Sequence, residues 1–287
     1  MELLLPLFLN GVVNGAHYAL LAMGFGMIFA TTGVVHFAYG PVYAVAAYLT
    51  WWSVTVLSLP FLVAMGVGIV GCAVVGMASY VLLYRWFLRN DSPPFIILVV
   101  SLGLLMLITN LIGVAFGTNA KTVNDVTYGF YFIGSAVVTG VQLWQVLALV
   151  VVGLGLAAFM KWTAYGSYIR AMQDNMLMAK IVGINTERVS LVVFGIGSGI
   201  SGIAASLILV KEGALPHMGF LAVFYAFLAA VVGGLGSLPG AVAGGLILGL
   251  VESLGVWRVS SDWQTTIAFG VLFIVLIWRP TGLWKGY

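Results

Sequence analysis

The side chains able to do chemistry are few and scattered. Among 287 residues there are eight Asp and Glu, three His and a single cysteine, Cys72. No H-E-x-x-H pair could hold a catalytic metal, and no G-x-S-x-G turn could present a nucleophile. No two carboxylates share an apolar segment. One cysteine excludes a disulfide framework and a multi-cysteine metal site. The chain has no Gly-Lys dipeptide, so it lacks a Walker-type phosphate loop. Neither enzyme chemistry, a metal nor a cofactor is expected.

What remains is polar punctuation inside apolar sequence. Gly33-Val34-Val35-His36-Phe37-Ala38-Tyr39-Gly40-Pro41 interrupts one such stretch. Pro41 lacks an N–H and Gly40 relaxes the backbone. Freed backbone groups at membrane depth are tolerated only against protein or a wet cavity. Broken helices are one way to build a substrate site. The segment is either a plain loop or part of a pathway lined by His36, Phe37, Tyr39 and Gly40. Gly233-Gly234-Leu235-Gly236-Ser237-Leu238-Pro239-Gly240 reads as the matching break, with Gly234, Gly236 and Ser237 as its candidates. Glu252 lies near the outer end of an apolar segment. It is either a polar group at an external mouth or, the reading favoured, a helix-end residue paired with Arg258 or snorkelling outward. His17 reads as part of a buried hydrogen-bonded pair between helices rather than a metal or proton site.

The elements that must carry these residues follow from composition. Sixty-two per cent of the chain is hydrophobic and 7% charged, with a mean hydropathy of +1.15. A soluble domain is about one quarter charged. From Leu3 to Tyr84 there is no Asp, Glu, Lys or Arg. The chain is therefore expected to be an all-α polytopic membrane protein. Nine apolar segments are expected: 6–29, 40–57, 61–84, 94–116, 141–160, 189–210, 221–235, 240–256 and 262–279. The segments 221–235 and 240–256 are short enough to be half-helices or a re-entrant pair, so eight or nine crossings are expected. The whole chain, 1–287, reads as one transmembrane domain. The net charge of +3 is too small and scattered for nucleic acid.

Sorting Lys and Arg by loop orients the chain. Arg85, Arg89, Lys161, Arg170, Lys180, Arg188, Arg279 and Lys285 fall on one side, and Lys121, Lys211 and Arg258 on the other. The first side is cytoplasmic, which places the N-terminus outside and the C-terminus inside. The external segment 117–140 reads as an ordered loop with short strands. Gly195/Gly199, Gly240/Gly244 and Gly245/Gly249 are each spaced by four, which suits close helix packing.

One long cytoplasmic loop, about 161–188, stands out. Asp174 is a candidate N-cap for a short helix over Met176–Val182, and Gly183 suits its C-terminus. Asn185 can cap the next helix, with Glu187 in its first turn. The short helix presents Met176, Leu177, Met178, Ile181 and Val182 either to lipid or to a cytoplasmic partner. Two turns are short for a lipid anchor, and methionine suits an adaptable apolar contact.

The run Arg170-Ala171-Met172-Gln173-Asp174-Asn175-Met176-Leu177-Met178-Ala179-Lys180-Ile181-Val182-Gly183-Ile184-Asn185 resembles the coupling loop of the LivH-like branched-chain amino acid ABC importer permeases, which have urea and amide relatives. Gly15-Ala16-His17-Tyr18-Ala19-Leu20 resembles the N-terminal signature of that family. Val35-His36-Phe37-Ala38-Tyr39-Gly40 resembles its second element, with His36 and Tyr39 where Asn and His are more usual. Gly233–Ala241, Gly249–Ser253 and Arg279–Leu283 fit its C-terminal half. The resemblance implies a type II ABC importer-like permease of the bacterial inner membrane, surrounded by lipid. It also implies a homologous second permease subunit, two cytoplasmic ATPases and a periplasmic substrate-binding protein. Asp174, Met176, Leu177, Ala179, Ile181, Gly183 and Asn185 would couple to the ATPase. The substrate implied is a branched-chain amino acid or a related small polar compound. A stand-alone secondary transporter or channel is the alternative, weakened by the scarcity of ionisable residues in the apolar segments.

Overall fold

The computed structural model describes residues 4–123, 129–134, 136–257, 260, 263–279 and 282–284. Each expected apolar segment is helical. The chain begins with α1 (Leu4–Thr32), α2 (Tyr39–Thr55) and α3 (Phe61–Ser79). A π turn (Tyr80–Tyr84) carries α3 into α4 (Arg85–Arg89), and α5 (Pro94–Phe116) follows. After β1 (Phe130–Ile133) and β2 (Ala136–Thr139) come α6 (Gly140–Trp162), α7 (Ala164–Asp174) and α8 (Met176–Ile181). The remainder is α9 (Thr186–Glu212), α10 (Met218–Gly233), α11 (Leu238–Gly255) and α12 (Gln264–Trp278). The strands form an antiparallel hairpin in the external loop, with Phe130 opposite Thr139.

Local chemistry sets the boundaries. Pro93 and Pro94 open α5, where a missing N–H costs nothing. A capping box between Thr139 and Gln142 opens α6. The side chain of Ser237 accepts from the Gly240 amide at 3.1 Å and opens α11.

Eight or nine full crossings were expected; six long apolar helices are found among the described residues, with α3 and α4 counted as one rod. The difference lies in short helices. Helices α10 and α12 have 16 and 15 residues, and α2 has 17. A crossing needs about 20.

Helices α1 and α9 form the centre and are 78% buried over their apolar windows. Helices α3, α5 and α6 surround them and turn Val63, Val70, Leu107, Leu111, Val151 and Leu154 outward. Apolar side chains on an outward face suit a hydrocarbon solvent.

The centre is built from two opposed hooks. Helix α1 ends at Gly33 and α9 at Gly213, both glycines with positive φ (+70° and +78°). L-residues pay a steric cost there, which glycine avoids. After each glycine the chain folds back and starts a new helix part-way along the old one. The Tyr39 hydroxyl donates to the Leu21 carbonyl at 3.1 Å and lies 3.3 Å from that of Gly197. Both carbonyls lie well inside α1 and α9, so α2 starts near their mid-length. Gly40 and Gly219 are the second residues of α2 and α10. Their backbones pack so closely that a β-carbon on either would overlap the other's carbonyl. From this meeting point the two helices leave in opposite directions. Helix α2 reaches the external end, where Tyr48 donates to Ala214 and Lys121 lies over the Trp51 ring. Helix α10 reaches the other end, where Val232 and Gly233 accept from the Leu283 and Trp284 amides.

This corrects the pairing of breaks expected from sequence. The counterpart of Gly33–Pro41 is Gly213–Gly219, and Gly233–Gly240 is a turn at the cytoplasmic end. Glycine density pointed to the turn. The true counterpart is marked by Pro216 and two glycines inside polar loop sequence.

Glycine packing divides by helix. Gly245 and Gly249 face Ala19 and Gly15 of α1, while Gly240 and Gly244 face Gly233 and Ala229 of α10. Gly195 and Gly199 meet the side chains of Met77, Ile69 and Ala73 on α3. The tighter approach on α9 is Gly197 against Gly24.

Candidate functional site

Two regions have the character of a working site. The first is a cavity of about 760 Å³ at the end expected to be external, lined by residues of α1, α2, α9, α10 and α11. Its rim carries Asn10, Asn14, Lys211 and Glu212; deeper in lie His17, Tyr18, Tyr43, Tyr225 and Glu252. Leu21, Ile208, Met218 and Ala222 give it an apolar wall. That volume lies in the usual range for small-molecule sites, about 300–1,000 Å³.

The polar groups come from separate helices. His17 of α1 contacts Tyr43 of α2, with Nε2 3.3 Å from the hydroxyl. This is the interhelical pair expected of His17. Asn14 instead accepts from Lys211 at 3.5 Å, and Lys211 also pairs with Glu212 at 3.2 Å. Tyr18 and Tyr225 stack with centroids 4.3 Å apart. The Tyr225 hydroxyl donates to Glu252 Oε1 at 3.5 Å. Glu252 is only 3% exposed, and its Oε2 has no hydrogen-bond partner among the described residues. The expected partner Arg258 lies outside those residues. His17 Nδ1 is likewise buried without a partner.

The residues expected to line a pathway lie elsewhere. His36 is fully buried, with Nδ1 2.8 Å from the Tyr84 hydroxyl in the π turn. Tyr84 donates onward to Ser101, which accepts from the Ala38 amide. Phe37 packs against Phe224 and Phe227 of α10. Together with Tyr39 and Gly40 these residues hold the fold-back in place, and they border no described cavity. Gly234, Gly236 and Ser237 line a small pocket of about 30 Å³ near the cytoplasmic end, with Gln173 of α7. The two groups are not brought together.

The second region is the hook formed by α7 and α8, at the end where the Lys and Arg distribution places the cytoplasm. Thr163 caps α7 by accepting from the Gly166 amide. The N-cap of α8 is Asn175, which accepts from the Met178 amide at 3.0 Å. Asp174, expected in that role, is instead the last residue of α7. Asn175 is extended while Asp174 is still helical, and an N-cap needs the extended backbone. Gly183, at φ +88°, follows the end of α8, and the Ile184 amide returns to the Ala179 carbonyl at 3.0 Å. Asn185 then caps α9 through the Arg188 amide. Ala179 is buried, and Met176 is half-buried. Leu177 and Ile181 are 64% and 68% exposed, beside exposed Met178 and Val182.

Behind the hook, Glu187 in the first turn of α9 accepts from Arg85 at 2.7 Å and also from Arg89. This ties the α4 end of the rod to the helix that leaves the hook. A groove of about 300 Å³ beside it is lined by Tyr165, Tyr168, Gly183, Asn185 and Arg188.

An exposed apolar knob thus lies at one end and a polar cavity at the other; comparison with known proteins shows the family. The family model of the branched-chain amino acid transport system permease component matches residues 7–276. The chain belongs to this family. It is 31% identical over 293 residues to the high-affinity branched-chain amino acid transport system permease protein LivH of Escherichia coli K12, covering 96% of this chain and 93% of the relative. To BraD of Pseudomonas aeruginosa, a permease protein of the same description, it is 32% identical, with the same coverage. A chain of PsaBC from Streptococcus pneumoniae, solved in complex with Fab, has a similar fold: TM-score 0.52, 16% identity, 93% of this chain and 90% of that one. The permease is thus a multi-pass membrane protein whose homologues are transport components.

Sequence reasoning named Glu252 and His17 but not the tyrosines that share their cavity. Tyr18, Tyr43 and Tyr225 lie far apart in sequence, and each alone reads as a core aromatic. Only helix packing brings them together.

Proposed function

We propose that this chain is the membrane-spanning permease subunit of an ATP-driven importer in a bacterial inner membrane. It carries branched-chain amino acids or a related small polar solute inward. In this reading the whole chain is one permease domain. A homologous second permease completes the path, two ATPases dock below, and a binding protein delivers substrate above. The chain itself catalyses no reaction.

The observation that carries the reading is the α8 knob. It is held by a cap at each end and braced by Glu187, and it turns Leu177, Met178, Ile181 and Val182 to solvent. Exposed apolar surface of this kind marks a partner site. Motion of a docked ATPase would pass through α8 and Asn185 to α9, one of the two central helices. The opposed hooks of α1–α2 and α9–α10 could then rock about Gly40 and Gly219. His36, Phe37, Tyr39 and Gly40 serve as the pivot on one side, and Gly234, Gly236 and Ser237 border the cytoplasmic exit.

The test is ATP-dependent uptake of L-leucine by the complete complex in proteoliposomes, with the binding protein supplied at the external face. Uptake that needs ATP, both permeases and the binding protein is expected. Ion-driven uptake by the purified chain alone would sink the reading in favour of a secondary transporter.

A further inference from the structure

We propose that the external cavity contains a subsite for a primary ammonium group, formed by the carboxylate of Glu252 beside the phenol groups of the stacked Tyr18 and Tyr225. The proposal rests on the importer reading for its direction of transport, but its chemistry stands on the cavity alone.

Glu252 is buried on a spanning helix, where an isolated carboxylate is costly unless something pairs with it. Tyr225 occupies one oxygen with a long hydrogen bond of 3.5 Å. The other, Oε2, meets no donor at hydrogen-bond distance among the described residues, although the Tyr18 hydroxyl is also near the carboxylate and the residue borders a cavity of about 760 Å³. A cation entering that cavity supplies the missing donor and charge. The stacked rings of Tyr18 and Tyr225 bring phenol oxygens to the same place, and these can accept from an ammonium group.

Other lining residues narrow the class further. Lys211 stands at the rim, bonded to Asn14 and Glu212, and can meet a carboxylate. Leu21, Ile208 and Ala222 offer an apolar wall between the two charges. A negative group, an apolar wall and a positive group in one cavity match a zwitterion with an aliphatic side chain. An uncharged amide would leave the Glu252 charge unbalanced. The subsite therefore separates amines from amides by charge rather than by shape.

The first experiment uses the wild-type complex. Glu252 is labelled with a membrane-permeant carbodiimide in excess over every ligand, and total modified Glu252, N-acylurea plus any amide formed with an amine, is read by mass spectrometry. L-leucine and isopentylamine should each slow labelling, whereas isovalerate and urea should not. Equal protection by isovalerate or urea overturns the proposal. So does absence of labelling without ligand, because the cavity would then be closed to solutes.

The second experiment compares Glu252→Gln and Glu252→Asp in the leucine uptake assay. Glu252→Gln should lower uptake at least about ten-fold, the scale of losing one partner of a buried charge pair. Glu252→Asp should recover part of the uptake. Uptake by Glu252→Gln within about two-fold of wild type overturns the subsite. Should Glu252→Gln fail to assemble, the labelling result decides. If amines protect Glu252 while the wild-type complex moves no leucine with ATP, the importer reading falls and the subsite stands.

Discussion

The external cavity and the cytoplasmic hook invert the usual rule of inside and outside. The cavity buries polar groups from several helices within apolar surroundings. The hook exposes apolar groups from one six-residue helix where water is expected. A buried polar group is costly without a partner, and an exposed apolar knob is costly without a cover. Each region is therefore incomplete in a different way. In the proposed reading a small polar solute completes the cavity, and a protein surface completes the hook.

That contrast can be broken most sharply at the hook. Leu177→Asp combined with Ile181→Asp places two charges on the docking surface. ATP-dependent uptake should fall by about a hundred-fold or more, since hot-spot losses reach several kcal/mol. Protection of Glu252 by leucine should be unchanged. Loss of both would show that the two regions do not behave separately.

Gly219→Val tests the meeting point between them. The new side chain would strike the Gly40 backbone, which cannot give way. Overpacking costs roughly 1–3 kcal/mol or more. A lower melting temperature of the purified complex and weaker leucine protection at Glu252 are expected together. The hook should still bind the ATPase.

A smaller effect is expected from Asn175→Ala, which removes the cap of α8 and costs about 1 kcal/mol. Uptake should drop several-fold, and Asn175→Asp should restore it because its side chain also caps. Glu187→Gln is expected to do least. Its pairs with Arg85 and Arg89 are substantially exposed, and such pairs contribute little. Uptake should change by under about two-fold, and the difference should vanish at high salt.

How much of this was legible in the sequence depends on how local the signal is. The hook was legible nearly to the residue because caps act over three or four positions. The one-residue error at Asp174 arose because Asp and Asn are both good caps, and only the backbone of Asn175 is extended. The nine apolar segments were legible as helices, but not how far each spans. Hydropathy reports composition, whereas the depth at which α2 and α10 begin is set by Tyr39 and by glycine contacts across the chain. The cavity was least legible. Its tyrosines are spread over α1, α2 and α10, and no spacing rule links them.

The meeting of Gly40 and Gly219 also bears on how the protein is made. The hydroxyl of Tyr39 finds the Gly197 carbonyl 158 residues further along the chain. Helix α2 thus leaves the ribosome long before the surface it rests on exists. Until α9 and α10 follow, its first turn has the Leu21 carbonyl of α1 but lacks the Gly197 and Gly219 backbones. Chains cut between α8 and α9 should therefore insert but be removed by membrane proteases. Supplying the missing half as a separate polypeptide should rescue them, because the two hooks need each other in space and not in one continuous chain.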